Sequence, residues 1–111
     1  MKNIITALSG ATTTTTSAVV SQIDKINEEE VHDKSVCQST ITGTGALTAT
    51  VEIYGNTTRQ NTGGVLIDTH TLSGTTTATA GKMLDGPWPY MYAKVTAITG
   101  TGAAITTIFV V

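Results

Sequence analysis

Hydrophobic and polar positions alternate with period two along most of the second half of this chain. The run Leu47-Thr48-Ala49-Thr50-Val51-Glu52-Ile53-Tyr54 is the cleanest instance. Successive side chains of a strand point to opposite faces, so Leu47, Ala49, Val51 and Ile53 line an inner face while Thr48, Thr50, Glu52 and Tyr54 line an outer one. The stretch from Tyr90 repeats the pattern, with Met91, Ala93, Val95 and Ala97 inward and Tyr90, Tyr92, Lys94 and Thr96 outward. The closing run does not alternate: Ile105, Phe109 and Val111 point one way, Ile108 and Val110 the other, which predicts a last strand covered on both faces, by its own domain or by a neighbouring subunit. Lys34 to Thr40, Val65 to Leu72 and Thr75 to Ala80 read as further strands, with Ser73-Gly74 breaking the last two apart. The five-Thr run Thr12 to Thr16, ending in Val19-Val20, predicts another strand with a hydroxyl-lined face.

Glycine supplies the punctuation. Thr42-Gly43-Thr44-Gly45 and Thr99-Gly100-Thr101-Gly102 read as turns, the second closing a hairpin between the strands on either side of it. Both belong to one echoed string, Ile-Thr-Gly-Thr-Gly-Ala at 41–46 and again at 98–103, which reads as the same turn chemistry used twice. Gly55 to Gly64 is a polar loop, and Asp85-Gly86 signals a turn before Trp88, a residue set between two prolines and expected to plug one end of the core. About seven short strands with turns every ten residues or so predict an all-β fold, a two-sheet antiparallel sandwich of Ig-like or jelly-roll-like type.

Composition supports strands: 25 of the 111 residues are Thr, whose branched Cβ suits exposed strand faces. That length predicts a single domain over 1–111, with residues 1–10 a short arm or edge strand anchored by Ile4, Ile5 and Leu8, and residues 23–33 an acidic excursion. The net charge of −2 and the scatter of the six Lys and Arg residues argue against a nucleic-acid partner. No apolar run approaches the ~20 residues of a membrane span, and the first twenty residues lack a signal-peptide core. Cys37 is the only cysteine, so no intrachain disulfide forms and a reducing compartment suits the chain. A soluble protein that is not exported by the usual route is expected.

Candidate chemistry is sparse. His32 and His70 have no ligand partners at metal-site spacing; Asp68 and His70 share a strand face and read as a solvent-facing polar edge. Cys37 reads as a small buried hydrophobe. The two Gly-Thr-Gly strings lack the following helix and the lysine of a phosphate loop, and the acidic run Asp24 to Asp33 lacks the spacing of a calcium loop. Asn56-Thr57-Thr58 matches the N-glycosylation sequon. Tyr54, Tyr90 and Tyr92 form an outer stripe suited either to a sugar or to a subunit interface. No catalytic, cofactor-binding or metal-binding residue is expected. The candidate interface residues are Ile108, Val110, Tyr90, Tyr92 and Tyr54.

The Thr-rich leading strand, the Asp85-Gly86-x-Trp88 turn, the strand Tyr90 to Ala97 and the closing Ile98 to Ala103 with its last strand together resemble the small β-sandwich structural proteins of tailed-bacteriophage virions, head decoration (cement) or tail-associated proteins. The resemblance covers residues 11–111, and its motifs are structural turns. The acidic insertion at Glu28 to Glu30 and the prolines around Trp88 depart from the pattern. It implies a non-enzymatic virion part, assembled in the host cytoplasm, that binds the major capsid protein as a homo-oligomer, with a trimer preferred, and that needs no cofactor. The alternative expectation is a tail- or surface-borne carbohydrate-binding or adhesion module using the three tyrosines.

Overall fold

The structure, a computed structural model, describes residues 4–21, 34–85 and 88–110. The acidic excursion at 23–33 with His32, the Gly86 of the expected turn, and Val111 lie outside the described residues. Among the described residues six strands form one antiparallel sheet: β1 (Ile4–Ala11), β2 (Thr15–Thr16), β3 (Val20–Ser21), β4 (Lys34–Asn56), β5 (Val65–Asp85) and β6 (Tyr90–Val110). The order is β1-β6-β4-β5, and β2 and β3 continue the β1 edge along β6.

Three of these strands are too long to be straight. A flat 23-residue strand extends about 75 Å, whereas the longest dimension of the molecule is 47 Å. Each long strand therefore folds over at a corner. In β4 the corner is at Gly43 to Gly45, in β5 at Gly74 to Thr76 and in β6 at Gly100 to Gly102, where the ladder registers shift. Gly45, Gly100 and Gly102 hold φ of 76°, 135° and 64°, and Thr76 is the one non-glycine with positive φ among the described residues, at 67°. Such values bend a strand and increase its local twist without ending its pairing. Gly43 is needed for a second reason: a Cβ there would sit 2.8 Å from Leu47 Cδ2 and 2.9 Å from the Thr101 carbonyl oxygen, so the two neighbouring corners pack backbone on backbone.

The folded sheet makes two layers. One holds 34–42 of β4, 77–85 of β5, 104–110 of β6 and β1; the other holds 46–56, 65–75, 90–99, β2 and β3. Side chains from the two layers meet: His70 Nδ1 lies 2.7 Å from Ser39 Oγ, and the Ser35 hydroxyl donates to Met91 Sδ at 3.9 Å. The core between them is built from Cys37, Ile41, Ile105 and Phe109 on one side and Leu47, Val51, Ile53, Leu72, Met91 and Val95 on the other, all buried. Trp88 packs against one end of this core, directly over Gly55, where any added Cβ would collide with the indole.

The all-β antiparallel sandwich expected from the alternation is present; its construction differs. The expected turns at 42–45 and 99–102 are corners, so Tyr90–Val110 is one folded strand and no hairpin. The echoed hexapeptide has a common role, because its copies lie side by side in β4 and β6, with Thr44 opposite Thr101. Ser73-Gly74 likewise bends β5 without breaking it. The Thr12 to Val20 strand is reduced to two-residue bridges, since Thr12 to Thr14 are exposed and pair with nothing. Ala97, expected inside, is exposed because a register shift between Thr50 and Val51 moves it to the outer face. The N-terminal segment is an edge strand, with Leu8 buried and Ile4 exposed.

Candidate interaction surface

The outer face of the first layer carries an apolar row that the register assembles from four strands. Ile4 of β1 stands opposite Val110 of β6, Val110 opposite Val36 of β4, and Val36 opposite Met83 of β5. Directly opposed residues on one face have Cβ atoms about 5 Å apart, so these side chains form a continuous strip. Ile4 is 74% exposed, Met83 56% and Val36 38%, and Val110 is half-buried. The next row is Thr6, Ile108, Gln38 and Gly81, in which the half-buried Ile108 extends the strip by one residue. Beyond it the face becomes hydroxylic: Thr40 and Thr79 share a 3.3 Å hydrogen bond, and the Gly10 N–H donates to Thr106 Oγ1. Ile108 and Val110 thus share the face opposite Ile105 and Phe109, as their parity in the strand requires. Ile4, Val36 and Met83, which complete the strip, each adjoin an apolar residue of the opposite face (Ile5, Cys37 and Leu84), so no alternation marks them, and only the alignment of the strands assembles the row.

The three tyrosines meet on the outer face of the other layer. Tyr54 and Tyr92 stack with ring centroids 5.0 Å apart and planes 10° from parallel. The Tyr54 hydroxyl donates to Glu52 Oε1 at 2.7 Å, and that hydrogen bond, followed by burial, raises its pKa. Tyr92 is 3% exposed and its hydroxyl accepts the Gly64 N–H at 3.0 Å. The guanidinium of Arg59 lies 5.2 Å from the Tyr90 ring centre. Around them the 57–64 loop is tied down by Asn56, whose Nδ2 donates to the carbonyls of Gln60 and Thr62 and whose Oδ1 accepts from the Thr58 N–H and hydroxyl. Asn61 Nδ2 anchors the loop to the Ser17 carbonyl. A cleft of about 330 Å³ remains between Tyr54, Tyr92, Gly64 and Lys94. Tyr54 and Tyr92 each give one ring face to the other, and Arg59 of the loop lies over the ring of Tyr90. The sequon is closed as well, since the Asn56 amide that a glycan would need is already spent on two carbonyls.

A third cluster is interior. His70 is 2% exposed, which corrects the expectation of a solvent-facing Asp68–His70 edge: Thr69, Thr71 and Ser73 face out, so His70 shares the inward side with Leu72. Its Nδ1 bonds Ser39 Oγ, and Ser39 Oγ lies 2.9 Å from Thr107 Oγ1, giving a buried polar chain. Asp68 Oδ2 is 2.9 Å from Nε2 but off the line of its N–H, leaving that nitrogen without an aligned partner. Burial lowers the His70 pKa, against a smaller upward pull from Asp68. Ser39 is fully enclosed, so this Asp-His-Ser order offers no accessible nucleophile. Cys37 beside it is inert: burial, then the Asp68 charge, push its thiol up to about 12. Among the described residues no three His, Cys, Asp or Glu side chains come together as a metal site, and no helix is long and apolar enough to cross a membrane.

The class these features define is an antiparallel β-sandwich with an exposed apolar strip and an enclosed polar chain. No family model matches the chain, and no curated protein matches it. Among solved structures it is similar to a chain in the structure of the infectious bursal disease virus Gx strain, at 10% identity and a TM-score of 0.47. The match covers 100% of this chain and 32% of that one, so this chain spans about a third of the length of its structural neighbour. At that level the likeness concerns chain path and lends no weight to a function.

Proposed function

We propose that this protein is a non-enzymatic structural component of a virus particle, a decoration protein that docks on the major capsid protein through the outer face of its first layer. The observation that carries this reading is the strip Ile4, Val110, Val36 and Met83, with Ile108 beside it. Three of its members are exposed large hydrophobics, and they stand in one register row instead of being scattered. A contiguous apolar patch on an otherwise Thr-rich face is the mark of a surface that meets another protein. The virion setting comes from the resemblance to phage β-sandwich proteins. The strip itself speaks only for protein docking.

The test is co-sedimentation with empty shells of the virus that encodes the chain. The Ile4→Asp, Val36→Asp double variant changes two exposed side chains, so it keeps the fold by circular dichroism and loses shell binding. Binding at wild-type strength by a folded double variant removes the strip from the interface. Absence of binding by the wild type removes the decoration reading.

A further inference from the structure

The two edges of the sheet are unlike. Along β6 the edge is broken into β1, β2 and β3 with register shifts, an arrangement that keeps other chains from pairing. The opposite edge is β5, 21 continuous residues that pair with β4 on one side and with no strand on the other among the described residues. From Thr69 to Gly81 it carries no Pro, Lys, Arg, Asp or Glu, so the usual guards of an open edge are missing. Three of the five exposed large hydrophobics among the described residues, Val65, Leu66 and Met83, also lie on it.

We infer that β5 pairs antiparallel with β5 of a second copy of this chain about a twofold axis through the corner, making one sheet continuous across a dimer. Two observations select a second copy and set the register independently. First, β5 is folded at Gly74 to Thr76, so a strand that follows it along both layers must fold at the same level, as β4 does with its own corner opposite. A second β5 meets this need when Thr75 stands opposite Thr75. Secondly, that register puts Asp68 of each copy opposite Lys82 of the other, and these are the two charged residues that bound the unguarded stretch. Both lie on the inward side of their layers, opposite Ile53 and Cys37 within the protomer, so they share a face across the junction. Between them Leu72 falls opposite Ala78 and His70 opposite Ala80 on the inner face, and Ser73 opposite Thr77 and Thr71 opposite Thr79 on the outer one. The twofold carries the first layer of one protomer into the second layer of its partner. A twofold dimer replaces the trimer implied by the resemblance, and it does not depend on the docking strip or on a virion setting.

Cysteine trapping tests it. Opposed residues of an antiparallel pair lie about 5 Å apart at Cα, within disulfide reach. Under mild oxidation Thr75→Cys links to itself, Thr71→Cys alone stays unlinked, and a mixture of Thr71→Cys with Thr79→Cys yields the mixed dimer. The buried Cys37 does not interfere. In sedimentation velocity the wild type is a reversible dimer, and Lys82→Glu, which sets like charges opposite each other twice, weakens it about tenfold. A folded Thr75→Cys that fails to link, a wild type that is monomeric at all concentrations, or an unchanged affinity for Lys82→Glu overturns the inference. So does a Thr75→Cys adduct formed only with added shell protein, which would assign the edge to that partner.

Discussion

Replacing Gly100 by Ala probes the corner on which the two-layer construction depends. Its φ of 135° is open to glycine and strained for any L side chain, and an added Cβ would overlap Leu47 Cδ2 and lie 3.1 Å from the Ala46 carbonyl oxygen. The backbone contribution is about 2 kcal/mol. Forcing a methyl against a side chain that is 1% exposed and cannot retreat adds about 2 kcal/mol more. Gly102→Ala is the control: its φ is 64° and no atom lies within 4 Å of the new Cβ, so it costs about 1 kcal/mol. Urea melts followed by circular dichroism separate the two by about 3 kcal/mol. With a slope of about 2 kcal/mol per molar urea for a chain of this size, the midpoints differ by about 1.5 M. A Leu47→Ala background removes the obstructing Cδ2 but keeps the contact with the Ala46 carbonyl oxygen, so there Gly100→Ala costs less, with a coupling of about 1 kcal/mol. Equal costs at 100 and 102, or a Gly100→Ala cost unchanged in the Leu47→Ala background, would show that the strands do not approach as described.

Other expectations follow from the interior. Val51 is fully buried between the layers, so Val51→Ala lowers stability by about 2 kcal/mol in the same assay; a loss within a few tenths would place that strand elsewhere. The His70 pKa is lowered in the fold below its ordinary 6.5, chiefly by burial. The unfolded chain therefore takes up the proton first, and stability that is full above about pH 6.5 declines as pH falls toward the folded value, by at most about 1.4 kcal/mol per pH unit. His70→Gln flattens that part of the profile relative to wild type; superimposable profiles would mean that His70 is solvated. Cys37, with its thiol pushed up to about 12 and no exposure, reacts with a thiol reagent at neutral pH only as fast as the protein unfolds. Rapid labelling in native buffer contradicts the enclosed core.

The sequence was most informative where alternation and burial coincide. Leu47, Ala49, Val51 and Ile53 face the core as their period requires, and so do Met91, Ala93 and Val95. It was least informative at the glycine strings. Ile-Thr-Gly-Thr-Gly-Ala is compatible with reversal or with bending, and the choice is made by pairing: β4 and β6 hold each other's corners in place, a long-range constraint that no window of residues contains. His70 is buried because it shares the parity of Leu72, which outweighs the polarity of its side chain. The apolar strip was half visible, in Ile108 and Val110. Its other members are single residues on three further strands, and only the register turns them into a surface.

Oxidative footprinting of Met83 on the assembled shell tests the docking claim most directly. Met83 is 56% exposed in the free protein and Met91 is fully buried, so one chain holds both the reporter and its internal reference. Compared in the same oligomeric state, shell-bound protein should show Met83 oxidation reduced several-fold, with Met91 inert throughout and the Tyr54 side of the molecule unchanged. Met83 oxidised equally fast on and off the shell, with protection falling on the Tyr54 and Leu66 end, would contradict docking through the first layer.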